Sequence, residues 1–169
     1  MRSLGAALAG ALLQVSGKGP GAAIVVAIQG ELGAGKTTLV GGLINALGIT
    51  GAVRSPTYTL IEPYEAHGRH LYHLDLYRLA DPQEVAALGI RDLLLSDAVL
   101  LIEWPERGVG ALPDADLAIA ITYPAVPASD SASDSVNDPI SELRDLVVSA
   151  GTAVGEQLLK HVLEKMAAS

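Results

Sequence analysis

Residues 22–38 read AAIVVAIQGELGAGKTT, and the fold class is decided inside this stretch. Residues 22–29 form a continuous apolar run rich in β-branched side chains, the composition of a strand covered on both faces. Glycines then gather at Gly30, Gly33 and Gly35, and residues 36–47 continue as a helix closed by Gly48. The segment from Gly30 to Thr37 fits G-x-x-x-x-G-K-[ST] at every fixed position. Such a loop needs glycine so that consecutive backbone N–H groups can turn inward toward phosphate oxygens. The helix that follows adds the positive end of its dipole. Lys36 would then reach the β- and γ-phosphates, and the Thr37 hydroxyl would ligate Mg²⁺. A dinucleotide fingerprint fails because Thr38 stands where its third glycine is required.

Working outward, a helix is expected over residues 3–14, with Ser3 as N-cap and Leu4, Leu8, Leu12 and Val15 at helical spacing. Met1-Arg2 and the apolar run behind it also have the outline of a secretory signal, but no small-x-small cleavage site follows directly. Strands are expected over residues 58–64 and 70–77, joined as a hairpin through residues 65–69. Asp81-Pro82 opens a helix reaching Leu88, and a second short helix covers residues 90–95. Residues 98–103 and 116–123 read as strands, residues 143–149 as a further strand and residues 152–166 as a closing helix. Residues 125–139 (AVPASDSASDSVNDP) hold too little apolar surface to offset their chain entropy and are expected to form a mobile acidic loop. The whole of residues 1–169 is read as one P-loop NTPase-like α/β domain, a mixed sheet with flanking helices.

The wider composition narrows the function. Half of the 169 residues are hydrophobic, with no Phe and one Trp, so the core is aliphatic. A net charge of −8 argues against a chain that grips nucleic acid through a broad basic face. The absence of Cys excludes disulfides and thiolate chemistry and permits a reducing compartment. No apolar run approaches the about eighteen residues of a membrane span.

A P-loop needs an acid at the end of a nearby strand to hold the metal. Glu103 qualifies, following Val99-Leu100-Leu101-Ile102, and so does Asp75 in His-Leu-Asp-Leu-Tyr-Arg. One would hold Mg²⁺ and the other would orient or deprotonate the attacking water; either is also readable as an exposed strand-end acid. Ser55-Pro56-Thr57 stands where a nucleotide-sensing loop belongs, with an ordinary turn as the plain alternative. Trp104 either packs in the core or covers the site. His67, His70, His73 and His161 lack metal-ligand spacing and read as solvated or hydrogen-bonded.

The guanine-reading N-K-x-D is absent, since none of Lys18, Lys36, Lys160 and Lys165 sits in that context. A nucleoside or metabolite kinase is the enzymatic alternative, but such transfer calls for several arginines and a lid. The arginines here are few and scattered. Water-driven ATP hydrolysis coupled to a partner fits better, and a nucleotide-dependent binding module without turnover is a third reading.

Four ordered motifs then carry a resemblance: G-E-L-G-A-G-K-T-T, V-R-S-P-T-Y-T-L, H-L-D-L-Y-R-L and L-I-E-W-P-E-R, beginning at Gly30, Val53, His73 and Leu101. In order and spacing they resemble the bacterial TsaE (YjeE) family, from Leu4 to Tyr123 and again from Arg144 to Leu163. The resemblance implies a cytoplasmic Mg²⁺-dependent ATPase, slow alone, that acts with the TsaB and TsaD proteins. Their joint product is N6-threonylcarbamoyladenosine at position 37 of tRNAs reading codons that begin with A. Contact with tRNA would come only through the complex. By position, Leu32, Gly33, Ala34, Gly35, Lys36 and Thr37 would bind the phosphates, and Thr37 with Glu103 the Mg²⁺. Asp75 would lie at the γ-phosphate, with Glu106 and Arg144 near the nucleotide; Lys36, Asp75 and Glu103 form the catalytic set. Glu31 replaces a more usual Asp, and residues 125–139 are peculiar to this sequence.

Overall fold

The apolar run forms as strand β1, Ile24–Gly30, inside a sheet of six strands among the described residues. The structure, a computed structural model, describes residues 1–15, 23–95, 97–124 and 143–168. The other strands are β2 (Ile61–Ala66), β3 (Arg69–Asp75), β4 (Ala98–Glu103), β5 (Leu117–Thr122) and β6 (Asp145–Ala150). Their order is β2-β3-β4-β1-β5-β6, with β3, β4, β1 and β5 parallel and the two edge strands antiparallel. The expected mixed sheet with flanking helices is therefore present.

Side chains alternate across the sheet and build two cores. Ile24, Val26 and Ile28 of β1 face helices α1 (Arg2–Leu12), α2 (Lys36–Ala46) and α4 (Ala153–Ala167), meeting Leu8, Leu12, Leu39, Leu43 and Leu158. Val25 joins Leu74, Leu100 and Ile102 on the other face, under Val85 of α3 (Pro82–Ala87). Complete burial of a Leu or Ile here contributes about 1.5–3 kcal/mol, and β4 is buried at every position. β4 is therefore a rigid mount for whatever stands at its end.

Several boundaries shift from expectation. Ser3 does not cap α1; the helix starts at Arg2 with Met1 at the N-cap and no side-chain cap. What fixes α1 is packing: Cβ atoms added at Gly5 or Gly42 would come within 2.3 Å of Leu39 O or 2.8 Å of Arg2 Cα. The backbones of α1 and α2 touch, and this brings the chain start up to the P-loop. β2 begins at Ile61 rather than Tyr58, because residues 56–60 close a turn in which Leu60 N–H donates to Pro56 O (2.6 Å). The hairpin is tighter than expected, turning on His67 and Gly68, both at positive φ as a two-residue type I′ turn requires. Asp81 caps α3 within a full capping box with Glu84, as the sequence indicates. The segment expected as residues 90–95 is a 3-10 turn, Ile90–Leu93. The acidic segment 125–139 lies outside the described residues.

Asp116, fully buried, ties the far side together. Its Oδ2 accepts the Val25 N–H at 2.9 Å, and its Oδ1 accepts the hydroxyl of Thr152, the N-cap of α4, at 2.5 Å. No helix among the described residues is long and apolar enough to cross a membrane.

Candidate functional site

The parallel strands β3, β4 and β1 end together, and their carboxyl ends form the crevice in which open α/β sheets bind ligands. β1 runs out into the glycine loop. Gly30 has φ +150°, and a Cβ there would lie 2.6 Å from Ile121 O, so the loop starts where only glycine fits against β5. Gly35 at φ +105° then caps α2, whose first residue is Lys36.

Lys36 is buried and turned into the loop. Its Nζ donates to Gly30 O (2.6 Å) and Glu31 O (2.9 Å) and lies 3.7 Å from the centre of the Trp104 ring. Burial lowers its pKa from the ordinary 10.5, while the charges of Glu103, Glu106 and Asp75 act in the opposite sense. Its bonds are to neutral carbonyls, so phosphate oxygens would be stronger partners for the same ammonium.

Glu103 ends β4 and is 2% exposed. Because β4 lies directly beside β1, the carboxylate meets α2: Thr37 Oγ1 donates to Glu103 Oε2 at 3.1 Å. The other oxygen, Oε1, is 2.8 Å from Nε2 of the fully buried His73. Asp75 ends β3 in register with Glu103, on the same face. It accepts the hydroxyls of Ser55 and Thr57 on Oδ2 (the latter at 3.0 Å) and the Tyr77 N–H on Oδ1 at 3.0 Å. The Ser-Pro-Thr segment thus does more than turn the chain; it docks on a strand-end carboxylate.

Trp104 follows Glu103 with φ +60°, an outlier for so large a side chain. The strand must turn at once into the 3-10 segment Pro105–Gly108, which the sequence did not reveal. The Trp104 N–H still donates to Ile28 O (3.3 Å), and the ring packs on Tyr77 with centroids 4.9 Å apart. Both readings of Trp104 hold: it packs against the core under α3 and also lines the site beside Lys36.

These residues enclose a cleft of about 330 Å³ lined by Leu32, Gly33, Gly35, Lys36, Thr37, Thr38, Ser55, Thr57, Asp75, Tyr77, Glu103 and Trp104. Ala34, buried, and Glu106, exposed on the turn after Trp104, do not line it. Glu106 acts on Lys36 through its charge. Arg144 does not line the cleft either; its guanidinium lies 4.0 Å over the Tyr123 ring, and the Tyr123 hydroxyl lies 3.4 Å from where a Gly33 Cβ would be. A second cleft of about 420 Å³ shares Thr37 and Thr38 and extends along α2 to Arg2, Asn45 and Val53. The residue that sequence reasoning undervalued is His73. Its signal was available in the alternation Leu71, His73, Asp75 on one face of a buried strand.

No group of three or more His, Cys, Asp or Glu poised for a metal occurs among the described residues. What the cleft offers is two oxygen donors side by side, Thr37 Oγ1 and Glu103 Oε2. That set suits Mg²⁺, which takes one or two protein oxygens and completes its octahedron with phosphates and water.

Residues 1–128 match the family model described as threonylcarbamoyl adenosine biosynthesis protein TsaE. A Haemophilus influenzae protein named tRNA threonylcarbamoyladenosine biosynthesis protein TsaE is 54% identical over 101 residues, covering 60% of this chain and 64% of that relative. The Streptomyces coelicolor protein of the same name is 38% identical over 136 residues, covering 79% of this chain and 82% of its own length. The crystal structure of Bacillus subtilis YdiB superposes with a TM-score of 0.66 at 26% identity, covering 96% of this chain and 87% of that one.

Proposed function

The chain belongs to the TsaE family, and on that premise we propose that it is a Mg²⁺-dependent ATPase serving the formation of threonylcarbamoyladenosine in tRNA. The observation that carries this reading is the junction of the glycine loop with β4, where Thr37 Oγ1 and Glu103 Oε2 stand 3.1 Å apart beside the buried Lys36. ATP would lay its phosphates along the loop amides of residues 32–37. Lys36 would exchange its two carbonyl partners for β- and γ-phosphate oxygens. Thr37 and Glu103 would hold Mg²⁺, which when bound neutralises phosphate charge as a Lewis acid. The second cleft, continuous with Thr38, would take the nucleoside end.

Asp75 is then free to work on water. Its carboxylate would orient a water for attack on the γ-phosphorus and accept a proton as the bond to the ADP oxygen breaks. Ser55 and Thr57 report on the same carboxylate, which couples hydrolysis to the loop that a partner could read. The partners proposed are the TsaB and TsaD proteins in the cytoplasm, with tRNA met only through that complex. The kinase alternative loses support on two grounds. The family's name points to tRNA modification, and no arginine is among the residues lining the phosphate cleft.

The test is ATP hydrolysis by the full chain, alone and with purified TsaB and TsaD, alongside Lys36→Ala. We expect slow turnover alone, stimulation by the partners, and in Lys36→Ala loss of both turnover and most of the Mg-ATP thermal shift. Phosphorylation of a small acceptor, or equal thermal shifts in the two proteins, would overturn the reading.

A further inference from the structure

His73 sits one pleat below Asp75 on β3, diagonal to Glu103 across the parallel pair, with Leu101 as its register partner. Its side chain has no exposed surface, and of its two ring nitrogens only Nε2 has a partner, Glu103 Oε1 at 2.8 Å. Nδ1 is buried and unpaired among the described residues. A histidine kept for packing would be expected to satisfy both nitrogens or give way to an aliphatic residue. This one bears the cost of an orphaned nitrogen and uses the other on a carboxylate.

Resting on the ATPase reading, we propose that His73 is a positioning residue for the metal-binding carboxylate. A carboxylate that holds a metal is ionised and only accepts, so in that state the hydrogen lies on Nε2 and points at Oε1. The terminal torsion of a glutamate is broad and nearly two-fold, so one hydrogen bond leaves the group free to swing. Glu103 has one on each oxygen: His73 fixes Oε1, and Oε2 is thereby the oxygen presented beside Thr37 Oγ1. Partners of this kind behind a ligand typically change metal affinity or activity by about 10–100-fold when removed. His73 touches neither nucleotide nor metal; it acts through Glu103.

The test uses the full chain and three variants, with Trp104 emission and thermal shift as readouts that require no turnover. His73→Leu removes the donor and the orphaned nitrogen at similar volume. His73→Gln places an amide N–H at similar reach, and His73→Asn places one too short to reach Glu103. We expect the shift produced by ATP in chelator to match wild type in all three. The Mg²⁺ concentration giving half the additional Mg-ATP shift should rise about tenfold in His73→Leu and His73→Asn and return near wild type in His73→Gln. If His73→Leu does not fold, the Gln and Asn pair decides alone. Equal Mg²⁺ midpoints in Asn, Gln and wild type, or a Gln variant no better than Asn, would overturn the proposal while leaving the ATPase reading intact. A wild type without any Mg²⁺-dependent shift would overturn both.

Discussion

Asp75 and Glu103 close neighbouring parallel strands in register, 3% and 2% exposed, yet different parts of the chain hold them. Glu103 is clasped by fixed groups: the first turn of α2 through Thr37, and the interior of β3 through His73. Asp75 is clasped by a loop, through Ser55, Thr57 and the Tyr77 N–H just beyond its own strand. One carboxylate is held by regular elements; the other is held by a loop. A rigid acid suits a metal, whose ligands gain by being held in place, and a loop-tethered acid suits a group that must respond when the γ-phosphate arrives.

The largest effect that can test this contrast is at Glu103. Glu103→Gln keeps shape but removes charge, so Mg²⁺-dependent turnover should fall on the order of 10³-fold, the equivalent of several kcal/mol of charge stabilisation. ATP binding in chelator should be nearly unchanged, and the Trp104 response should lose its sensitivity to Mg²⁺. Next, Asp75→Asn should lower turnover on the order of 10²-fold while leaving the Mg²⁺ midpoint near wild type. If Asp75→Asn abolishes the Mg²⁺ response and Glu103→Gln does not, the two roles are exchanged.

A smaller effect is expected in the loop. Ser55→Ala combined with Thr57→Ala removes two hydroxyl donors to Asp75 and should lower stability in urea by about 1–3 kcal/mol. Turnover should drop less than in Asp75→Asn; an equal drop would mean that the hydroxyls, not the carboxylate, serve the γ-phosphate.

The smallest effect is a proton count at Lys36, which both carboxylates face. Burial holds its pKa below 10.5, so between the lowered value and 10.5 the unfolded chain carries more protons than the folded one. Stability contributed by this group therefore rises with pH across that window. Phosphates favour the charged ammonium, so Mg-ATP binding in the same window should take up a fraction of a proton, read from binding enthalpies in buffers of different ionisation enthalpy. Lys36→Met should abolish the uptake.

How much of this was legible beforehand divides by range. The strand-loop-helix unit was readable because it is local: the β-branched run, the positive φ at Gly30 and Gly35, and the start of α2 are all dictated within some fifteen residues. Asp81-Pro82 with Glu84 announced a helix start for the same reason, and the alternation of β3 put His73 and Asp75 on one face. A lone candidate cap at Ser3 misled, because backbone contact between α1 and α2 at Gly5 and Gly42 sets that helix instead.

Both strand-end acids were visible as acids; the residues alone left the metal open between them, and the family resemblance put it on Glu103. Which of the two adjoins the Thr37 hydroxyl belongs to strand order. Periodicity tells a strand which face to bury and is silent about its neighbours, since backbone hydrogen bonds pair any two strands alike. Only the assembled sheet puts β4 beside β1, so Glu103 meets Thr37 and Asp75 lies one strand further out. The same assembly turns Trp104 over Lys36 and places Arg144 on Tyr123 rather than among the residues lining the cleft. It also brings His73 to Glu103 across 30 residues of chain, a contact no spacing rule contains. The sequence by itself determined the parts and their chemistry; the tertiary structure decided which carboxylate stands next to the hydroxyl, because only three-dimensional packing chooses neighbours.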